Sequence, residues 1–270
     1  MNAALGLLDR DRILAGLTDA ARAGLSRLEV YSVLDSTNSY LLSRIDEDWP
    51  SGAVCLAEQQ QAGRGRQGRS WLSPFAAGLA GSLLWRFPVS AAALSGLSLA
   101  TGIAVARALR QIGVAEVGLK WPNDVGWRGR KLGGILLESG GQAGAFFVVA
   151  GVGLNVALPK AEATAIDQPW VDLAEILGAG RVSRNHLAAL LISELIETFF
   201  RFQHSGFASL AAEWANFDQV AGRQVRLNLP NATVIGIARG VDATGALLLE
   251  TAEGRITPYI GGEISLRIEP

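Results

Sequence analysis

The sequence predicts an α+β fold: a mixed β-sheet flanked by helices, followed by a small C-terminal β-barrel of the SH3-like type. Three observations lead to this prediction. Strand-like segments recur through the first 158 residues, Ala- and Leu-rich helical stretches lie outside them, and short alternating strands broken by Gly and Asn fill the chain after Val220. Such segregation is typical of α+β proteins with a small barrel. We therefore predict two domains, residues 1–219 and residues 220–270.

The first elements follow from local patterns. Residues 8–25 place apolar side chains at helical spacing and predict a short amphipathic helix. The segment RLEVYSVL (27–34) predicts a strand, and Asp35 or Ser36 is expected to cap the helix that follows it. Two further strands are predicted at GAVCLAEQQ (52–60) and GLAGSLLWRF (78–87).

Later elements are read in the same way. Residues 91–113 predict a long helix, and residues 183–217 predict further helices with Ser183 as a cap. The strands expected between these helices are EVGLKW (116–121), DVGWRGRKLGGILLES (124–139, with a turn at Arg128-Gly129) and AFFVVAGVGLNVAL (145–158). The barrel strands are expected within RQVRLNLP (223–230), TVIGIARGVDATGALLLET (233–251), GRITPYI (254–260) and GEISLRIEP (262–270).

Composition and charge argue against several classes of protein. The 270 residues are 49% hydrophobic with a formal net charge of −1, which does not suit a protein dedicated to nucleic acid. No signal peptide and no membrane-spanning run is evident. Cys55 is the only cysteine, so a reducing cytoplasm is expected, and its apolar neighbours predict a buried, unreactive thiol. The two histidines lack metal-ligand spacing, so we predict no metal held by the protein alone.

The segment AEQQQAGRGRQGRSW, which begins at Ala57, forms a loop rich in arginine and glycine. Its three glycines match G-x-G-x-x-G, the pattern of a dinucleotide site. Such a site needs a helix after the glycines, but a Pro-containing segment follows here. The acidic residue expected roughly 20 residues further on is also missing. Arginines without nearby acids predict a positive pocket for a small anion. The glycines would let backbone N–H groups approach that anion while Arg64 and Arg66 bind its oxygens. A solvated basic loop is the alternative.

Other side chains have two possible roles each. Lys131 enters a mostly apolar strand, so its ammonium faces a pocket or a partner anion, or else it caps the strand at the surface. Ser36, Thr37 and Asn38 either cap a helix or present polar groups to a ligand. Trp71 ends the arginine loop, where it either stacks on a purine or belongs to the core.

Six ordered segments resemble the biotin protein ligases, which activate biotin with ATP and attach it to a carboxylase lysine. The segments are DSTN (35–38), QQAGRGRQGRSW (60–71), KWPNDV (120–125), RKLGGILLE (130–138), GVGLNV (151–156) and GGEISL (261–266). The resemblance begins near residue 28 and runs to the end of the chain. It implies that residues 1–219 form a catalytic domain that binds biotin and ATP. Because so few residues precede DSTN, we expect a monofunctional ligase without an N-terminal DNA-binding domain.

The resemblance also implies roles for individual residues. Lys131, Arg64 and Arg66 would be catalytic, with Lys131 beside the biotin carboxylate and the α-phosphate. The residues implied for biotin are Ser36, Thr37, Asn38, Gln60, Gly63, Arg64, Gly65, Arg66, Lys131 and Gly134. Those implied for ATP and the adenylate are Arg66, Arg69, Trp71, Asn123, Asp124, Lys131, Asn155 and Trp170. Arg267 and Glu263 are expected to face the catalytic domain.

The implied partners are a biotin carboxyl carrier domain of a biotin-dependent carboxylase and Mg²⁺ that arrives with ATP. A homodimer is compatible with the resemblance, whereas nucleic acid and membrane are not expected as partners. The alternative function is that of a lipoate or octanoate ligase or transferase of related fold, and a binding module without catalysis is a third. We further expect the loop at 63–70 to be mobile when empty, since its arginines repel one another, and to order around the adenylate.

Overall fold

A seven-stranded mixed sheet forms the larger part of the protein, and the computed structural model describes residues 6–88, 91–142, 145–261 and 264–268. The strands of this sheet are β1 (Arg27–Leu34), β2 (Ala53–Gln60), β3 (Gly78–Phe87), β4 (Val117–Lys120), β5 (Asp124–Trp127), β6 (Arg130–Gln142) and β7 (Ala145–Asn155). Their order across the sheet is β1-β2-β3-β7-β6-β5-β4. Only β1 and β2 run parallel, and the other neighbours are antiparallel. The predicted mixed sheet is confirmed.

Helices surround this sheet. They are α1 (Arg10–Ala15), α2 (Asp19–Gly24), α3 (Thr37–Leu42), α4 (Leu97–Gln111), α5 (Leu173–Leu177), α6 (Arg184–Ser205) and α7 (Ala211–Ala215). The long helices α4 and α6 contact each other and the sheet, and they contribute many buried residues to the main hydrophobic core. A smaller cluster around Leu41 and Trp49 includes buried residues of β2, β3 and β7. The carboxyl end of β2 and the start of α3 are therefore not covered by the other described helices and can form a site.

Two helix predictions need correction. Residues 8–25 form two helices rather than one, because Gly16 ends α1 and the Thr18 hydroxyl caps α2 by accepting a hydrogen bond from the Ala21 N–H at 3.2 Å. The helix predicted over 91–113 is divided into a 3₁₀ turn, Ala91–Leu94, and α4. Gly96 separates them with a φ of +79°, a conformation that glycine adopts without steric cost. The Ser36 and Ser183 caps are confirmed.

A second, five-stranded antiparallel sheet follows in the C-terminal part. Its strands are β8 (Gln224–Asn228), β9 (Thr233–Val241), β10 (Leu247–Glu250), β11 (Ile256–Tyr259) and β12 (Ser265–Ile268), in the order β11-β10-β9-β8-β12. The predicted α+β class with a small second β unit is therefore confirmed. The division at residues 219 and 220 stays a prediction. Glu263 and part of the GGEISL segment lie outside the described residues.

The two sheets are joined through the segment before β8. The Leu119 N–H donates to the Phe217 carbonyl at 2.7 Å, and the Gln219 N–H donates to the Leu119 carbonyl at 2.9 Å, so this segment continues along β4. The Trp121 indole N–H also donates to the Gly245 carbonyl at 3.2 Å. The C-terminal sheet therefore packs beside the strands that carry KWPNDV. Among the described helices, none is both long and apolar enough to cross a bilayer.

Candidate active site

A cleft of about 760 Å³ opens between the start of α3, the arginine loop and the face of β6 and β7. Every residue singled out from the sequence as a site residue lines this cleft except Asp124. These residues are Ser36, Thr37, Asn38, Gln60, Gly63, Arg64, Gly65, Arg66, Arg69, Trp71, Asn123, Lys131, Gly134, Asn155 and Trp170. Segments that are far apart in the chain therefore meet in one place.

The start of α3 supplies a buried polar end to the cleft. Ser36 caps the helix by accepting the Ser39 N–H at 3.4 Å, while the side chains of Thr37 and Asn38 turn inward and are buried. The side-chain oxygen of Gln60, Oε1, accepts the Thr37 N–H at 2.8 Å and lies 3.2 Å from the Thr37 hydroxyl. The helix cap and the lining of the cleft are thus both made by the same short segment, so neither alternative excludes the other.

Asn38 is held by groups that sequence reasoning did not identify. Its amide nitrogen donates to the Leu136 carbonyl at 3.2 Å and to Glu138 Oε2 at 2.8 Å, and its amide oxygen lies 2.5 Å from the Ser82 hydroxyl. A side chain at Gly151 would collide with this amide. In the sequence, Gly151 and Ser82 could have indicated these contacts. A small residue within a strand, however, forms no distinctive pattern by which its role could be recognised.

The arginine loop is anchored at both of its central arginines. Arg64 Nη2 donates to Glu138 Oε2 at 2.8 Å, and Arg66 Nη1 donates to Asn123 Oδ1 at 3.0 Å. The backbone turns through a short 3₁₀ segment, Arg66–Gly68, in which Gln67 has a φ of 57° and Gly68 a φ of 70°. Protein acceptors therefore already pair with both arginines, and the expected mobility of the empty loop stays a prediction.

Arg66 also reaches the C-terminal sheet. Its Nη2 donates to the Ile264 carbonyl at 3.0 Å, immediately before β12. Burial lowers the pKa of the Arg66 guanidinium, and the nearby charge of Arg69 lowers it further while Asp124 acts against both. Arg66 is thus a partly desolvated cation in the cleft, where its attraction for an anion is stronger than it would be in water.

Trp71 lies on a floor of glycines rather than in the core. A Cβ atom at Gly153 would come within 2.5 Å of the Trp71 ring, and one at Gly134 would lie 3.6 Å from it. Two glycines on adjacent strands, paired in register, therefore let the indole lie against the sheet. The ring stays partly exposed to the cleft, and the core alternative for this tryptophan is excluded.

Lys131 lies beside this indole with an acidic partner behind it. Its Nζ is 6.0 Å from the Trp71 ring centroid and 2.7 Å from Asp124 Oδ1, and its side chain is only 16% exposed. Asp124 does not line the cleft, although the sequence analysis placed it in the nucleotide site. Its second oxygen lies 3.7 Å from Lys120 Nζ. Burial lowers the pKa of Lys120, and the carboxylate of Asp124 acts in the opposite direction.

Asn155 and Trp170 complete the wall next to Lys131. The Lys131 N–H donates to the Pro169 carbonyl at 2.9 Å, and the Val171 N–H donates to the Lys131 carbonyl at 3.0 Å, which aligns Trp170 with the start of β6. Asn155 Nδ2 donates to the Val171 carbonyl at 3.1 Å and holds this segment in place. The structure therefore assigns Asn155 a supporting contact at the cleft wall.

No group of three or more potential metal-ligating side chains occurs in the described part of the chain. Cys55 is fully buried, and burial raises the pKa of its thiol, in agreement with the predicted unreactive role. The side chains that line the cleft offer a ligand guanidinium, ammonium, amide, hydroxyl and indole groups, and two acidic residues, Glu162 and Asp167, lie on the same lining. This set suits an anionic ligand with an uncharged polar end and an aromatic ring.

Comparisons with known proteins agree with this description. The sequence profile of the biotin/lipoate A/B protein ligase family matches residues 30–155, and that of the biotin protein ligase C terminal domain matches residues 220–267. The chain is 45% identical over 263 residues to the bifunctional ligase/repressor BirA of Escherichia coli, covering 97% of this chain and 78% of that protein. It is 36% identical to the biotin–acetyl-CoA-carboxylase ligase of Mycobacterium tuberculosis, covering 97% and 100%.

A solved structure supports the same conclusion. The biotin protein ligase from Aquifex aeolicus in complex with biotin and ATP has a TM-score of 0.75 at 29% identity, over 91% of this chain and 100% of that one. Fold, cleft and sequence together define a member of the biotin/lipoate protein ligase family. Within that family the chain belongs to the biotin protein ligases, and it is an enzyme of that class.

Proposed function

We propose that the cleft joins biotin to ATP and passes the activated biotin to a lysine of a biotin carboxyl carrier domain. The observation that carries the proposal is the meeting, in one cleft, of the polar start of α3 with Arg66, Lys131 and the exposed face of Trp71. A ligand that is uncharged and polar at one end and carboxylated at the other needs such a combination.

The biotin ring is expected at the start of α3. Its ureido group carries one carbonyl oxygen and two N–H groups, so it needs both donors and acceptors. Thr37, Asn38 and Gln60 supply hydroxyl and amide groups of both kinds, and all three line the cleft. Gly134, where a Cβ would lie 3.6 Å from the Trp71 ring, leaves room for the bicyclic ring of biotin. We assign these residues to biotin and Trp71 to the adenine ring.

The reacting groups are expected between Lys131 and Arg66. Both are cations with little exposure to water, and both already lie at hydrogen-bonding distance from protein acceptors that fix their direction. Fixed cations can neutralise the carboxylate and the α-phosphate as they approach and can stabilise the charge of the transition state. We also assign Arg64, Arg69 and Asn123 to the carboxylate and the α-phosphate. Asn155 and Trp170 are assigned to the same place, at the wall of the cleft.

The reaction would have two steps. In the first, a biotin carboxylate oxygen attacks the α-phosphorus, a new P–O bond forms, and the bond to the bridging oxygen breaks as pyrophosphate leaves with the electron pair. In the second, the neutral amine of the acceptor lysine attacks the acyl carbon, an amide bond forms, and AMP leaves while the amine gives up a proton. Lys131 stabilises the developing negative charge in both steps.

Mg²⁺ would enter with the nucleotide. The carboxylate nearest to Lys131, that of Asp124, is already paired with two lysines, and the described residues contain no cluster of acidic ligands. These residues fit a Mg²⁺ ion that takes most of its ligands from phosphate oxygens and water, as Mg²⁺ commonly does. Its contribution when bound is neutralisation of phosphate charge.

The test is release of pyrophosphate when the purified chain receives Mg-ATP and one of three acids: biotin, lipoate or octanoate. The proposal expects release with biotin and little with the other two. Release that depends on lipoate or octanoate instead would support the second candidate, a lipoate or octanoate ligase, which shares the family profile. No release with any acid would contradict both. A homodimer stays a prediction.

A further inference from the structure

We infer that Glu138 is a positioning residue that holds the arginine loop against the biotin-binding end of α3, and that it thereby helps to retain the activated intermediate. The inference rests on the proposed function. Glu138 lies on β6 and is absent from the lining of the ligand cleft. It lines instead a second cavity on the outer side of the arginine loop, together with Arg64 and residues of the C-terminal sheet region.

One carboxylate oxygen connects two parts of the cleft. Glu138 Oε2 accepts a hydrogen bond from Asn38 Nδ2 at 2.8 Å and another from Arg64 Nη2 at 2.8 Å. Asn38 belongs to α3 and Arg64 to the loop, so the same atom ties both to strand β6. The Arg64 guanidinium also donates to the Ser39 hydroxyl at 3.0 Å, which closes the link between loop and helix.

The carboxylate also determines which way the Asn38 amide faces. An ionised carboxylate only accepts hydrogen bonds, so the NH₂ group of Asn38 must point toward Glu138 and its oxygen toward Ser82. The Asn38 amide packs against Gly151, so it has little space to rotate. Glu138 therefore fixes the donor and acceptor pattern at the ring end of the cleft without touching a ligand.

The bond to Arg64 helps to keep the loop closed. Arg64 is 43% exposed, and its ion pair with Glu138 adds to the bonds that Arg66 makes to Asn123 and Ile264. The hydrogen bonds are charge-assisted and are therefore stronger than neutral ones. A closed loop keeps water away from a reactive acyl phosphate and slows its escape.

The experiment compares Glu138→Gln with the wild-type chain. Glutamine has the same shape but no charge, so we expect release of biotinyl-AMP from the enzyme to become about tenfold faster, since a charged hydrogen bond is replaced by a neutral one. The KM for biotin should rise while kcat for pyrophosphate release in saturating biotin changes less than threefold. Trypsin should cut after Arg64 faster than in the wild type. Glu138→Asp, which keeps the charge, should recover part of the retention.

A matched control is Glu116→Gln, which removes an exposed ion pair with Arg128 far from the loop. The Glu116→Gln variant should leave adenylate release, the KM for biotin and trypsin cleavage unchanged. We expect it to unfold at the same temperature as Glu138→Gln. Release and cleavage rates of Glu138→Gln equal to those of this control would overturn the inference. If the wild-type chain itself makes no biotinyl-AMP, the proposed function fails first, so the two failures are distinguishable.

Discussion

Lys131 Nζ lies 2.7 Å from Asp124 Oδ1, and the two residues stand on neighbouring strands at the margin of the cleft. Asp124 is absent from the lining of the cleft, and its carboxylate directs the ammonium of Lys131. The assignment of both residues to the nucleotide, which the resemblance implies, stays a prediction. A carboxylate behind a catalytic ammonium holds it in one direction before the substrates arrive, and such preorganisation is the main source of electrostatic catalysis.

Lys131→Ala should slow formation of the adenylate by at least about a hundredfold, because loss of one preorganised charge donor costs about 2.7–4 kcal/mol. The fold should persist, since Asp124 keeps Lys120 as a partner within 3.7 Å. The measurement is biotin-dependent pyrophosphate release, with thermal unfolding of the variant as the control. A rate within about fivefold of the wild-type rate would remove Lys131 from the chemistry.

Truncation after residue 219 should reduce ligation more than it reduces biotin binding. The structural reason is the hydrogen bond from Arg66 to the Ile264 carbonyl, which supports a loop arginine from the C-terminal sheet, whereas the start of α3 makes no such contact in the described residues. Calorimetric titration with biotin and transfer to a carrier domain measure the two effects separately. A truncated chain that transfers biotin at the full rate would disprove this role of the C-terminal sheet.

The loop at 63–70 should be protected from trypsin by biotin and Mg-ATP together. Three glycines give its backbone many conformations, and a bound adenylate would add contacts to those that Arg64 and Arg66 already make with the protein. Limited proteolysis should cut the free chain between Arg64 and Arg69 and leave the reacting enzyme intact, with either ligand alone giving less protection. Equal cleavage under all four conditions would show that the loop is already in its final state.

Arg184→Met should destabilise the fold by about 3–5 kcal/mol, because it leaves a buried carboxylate without its partner. Arg184 and Glu58 are 6% and 4% exposed, and the second oxygen of Glu58 accepts the Leu8 N–H, so the pair also fastens the N-terminal segment to β2. Urea denaturation measures the loss. Glu116→Gln, at an exposed pair, should cost less than about 1 kcal/mol and serves as the control. Equal losses for the two variants would contradict the role of burial.

Much of the fold followed from the sequence because the strands carry continuous apolar runs and the turns carry glycine. β1, β2 and β3 have nearly the predicted bounds, and the turn at Arg128 and Gly129 has positive φ at both residues. The break at Gly96 was missed because a helix pattern does not reveal which glycine adopts a left-handed conformation. Local sequence alone cannot locate such a break.

The site was predicted in outline but not in its supporting contacts. Residues in distinctive segments, such as Lys131 and Trp71, could be recognised by their neighbours in sequence. Ser82 and Glu138 could not, because each acts through a residue distant in the chain, and only the register of the strands brings them to Asn38. For the same reason, the sequence could not show that Asp124 pairs with Lys131.

The central claim is that this cleft makes biotinyl-AMP. The most direct measurement is mass spectrometry of the products after the purified chain is incubated with biotin, ATP and Mg²⁺ without an acceptor protein. Our account predicts a species with the mass of biotinyl-AMP that stays with the protein during rapid gel filtration and disappears when Lys131 is replaced by alanine. Absence of that species from the wild-type reaction, with ATP and biotin recovered unchanged, would contradict the account.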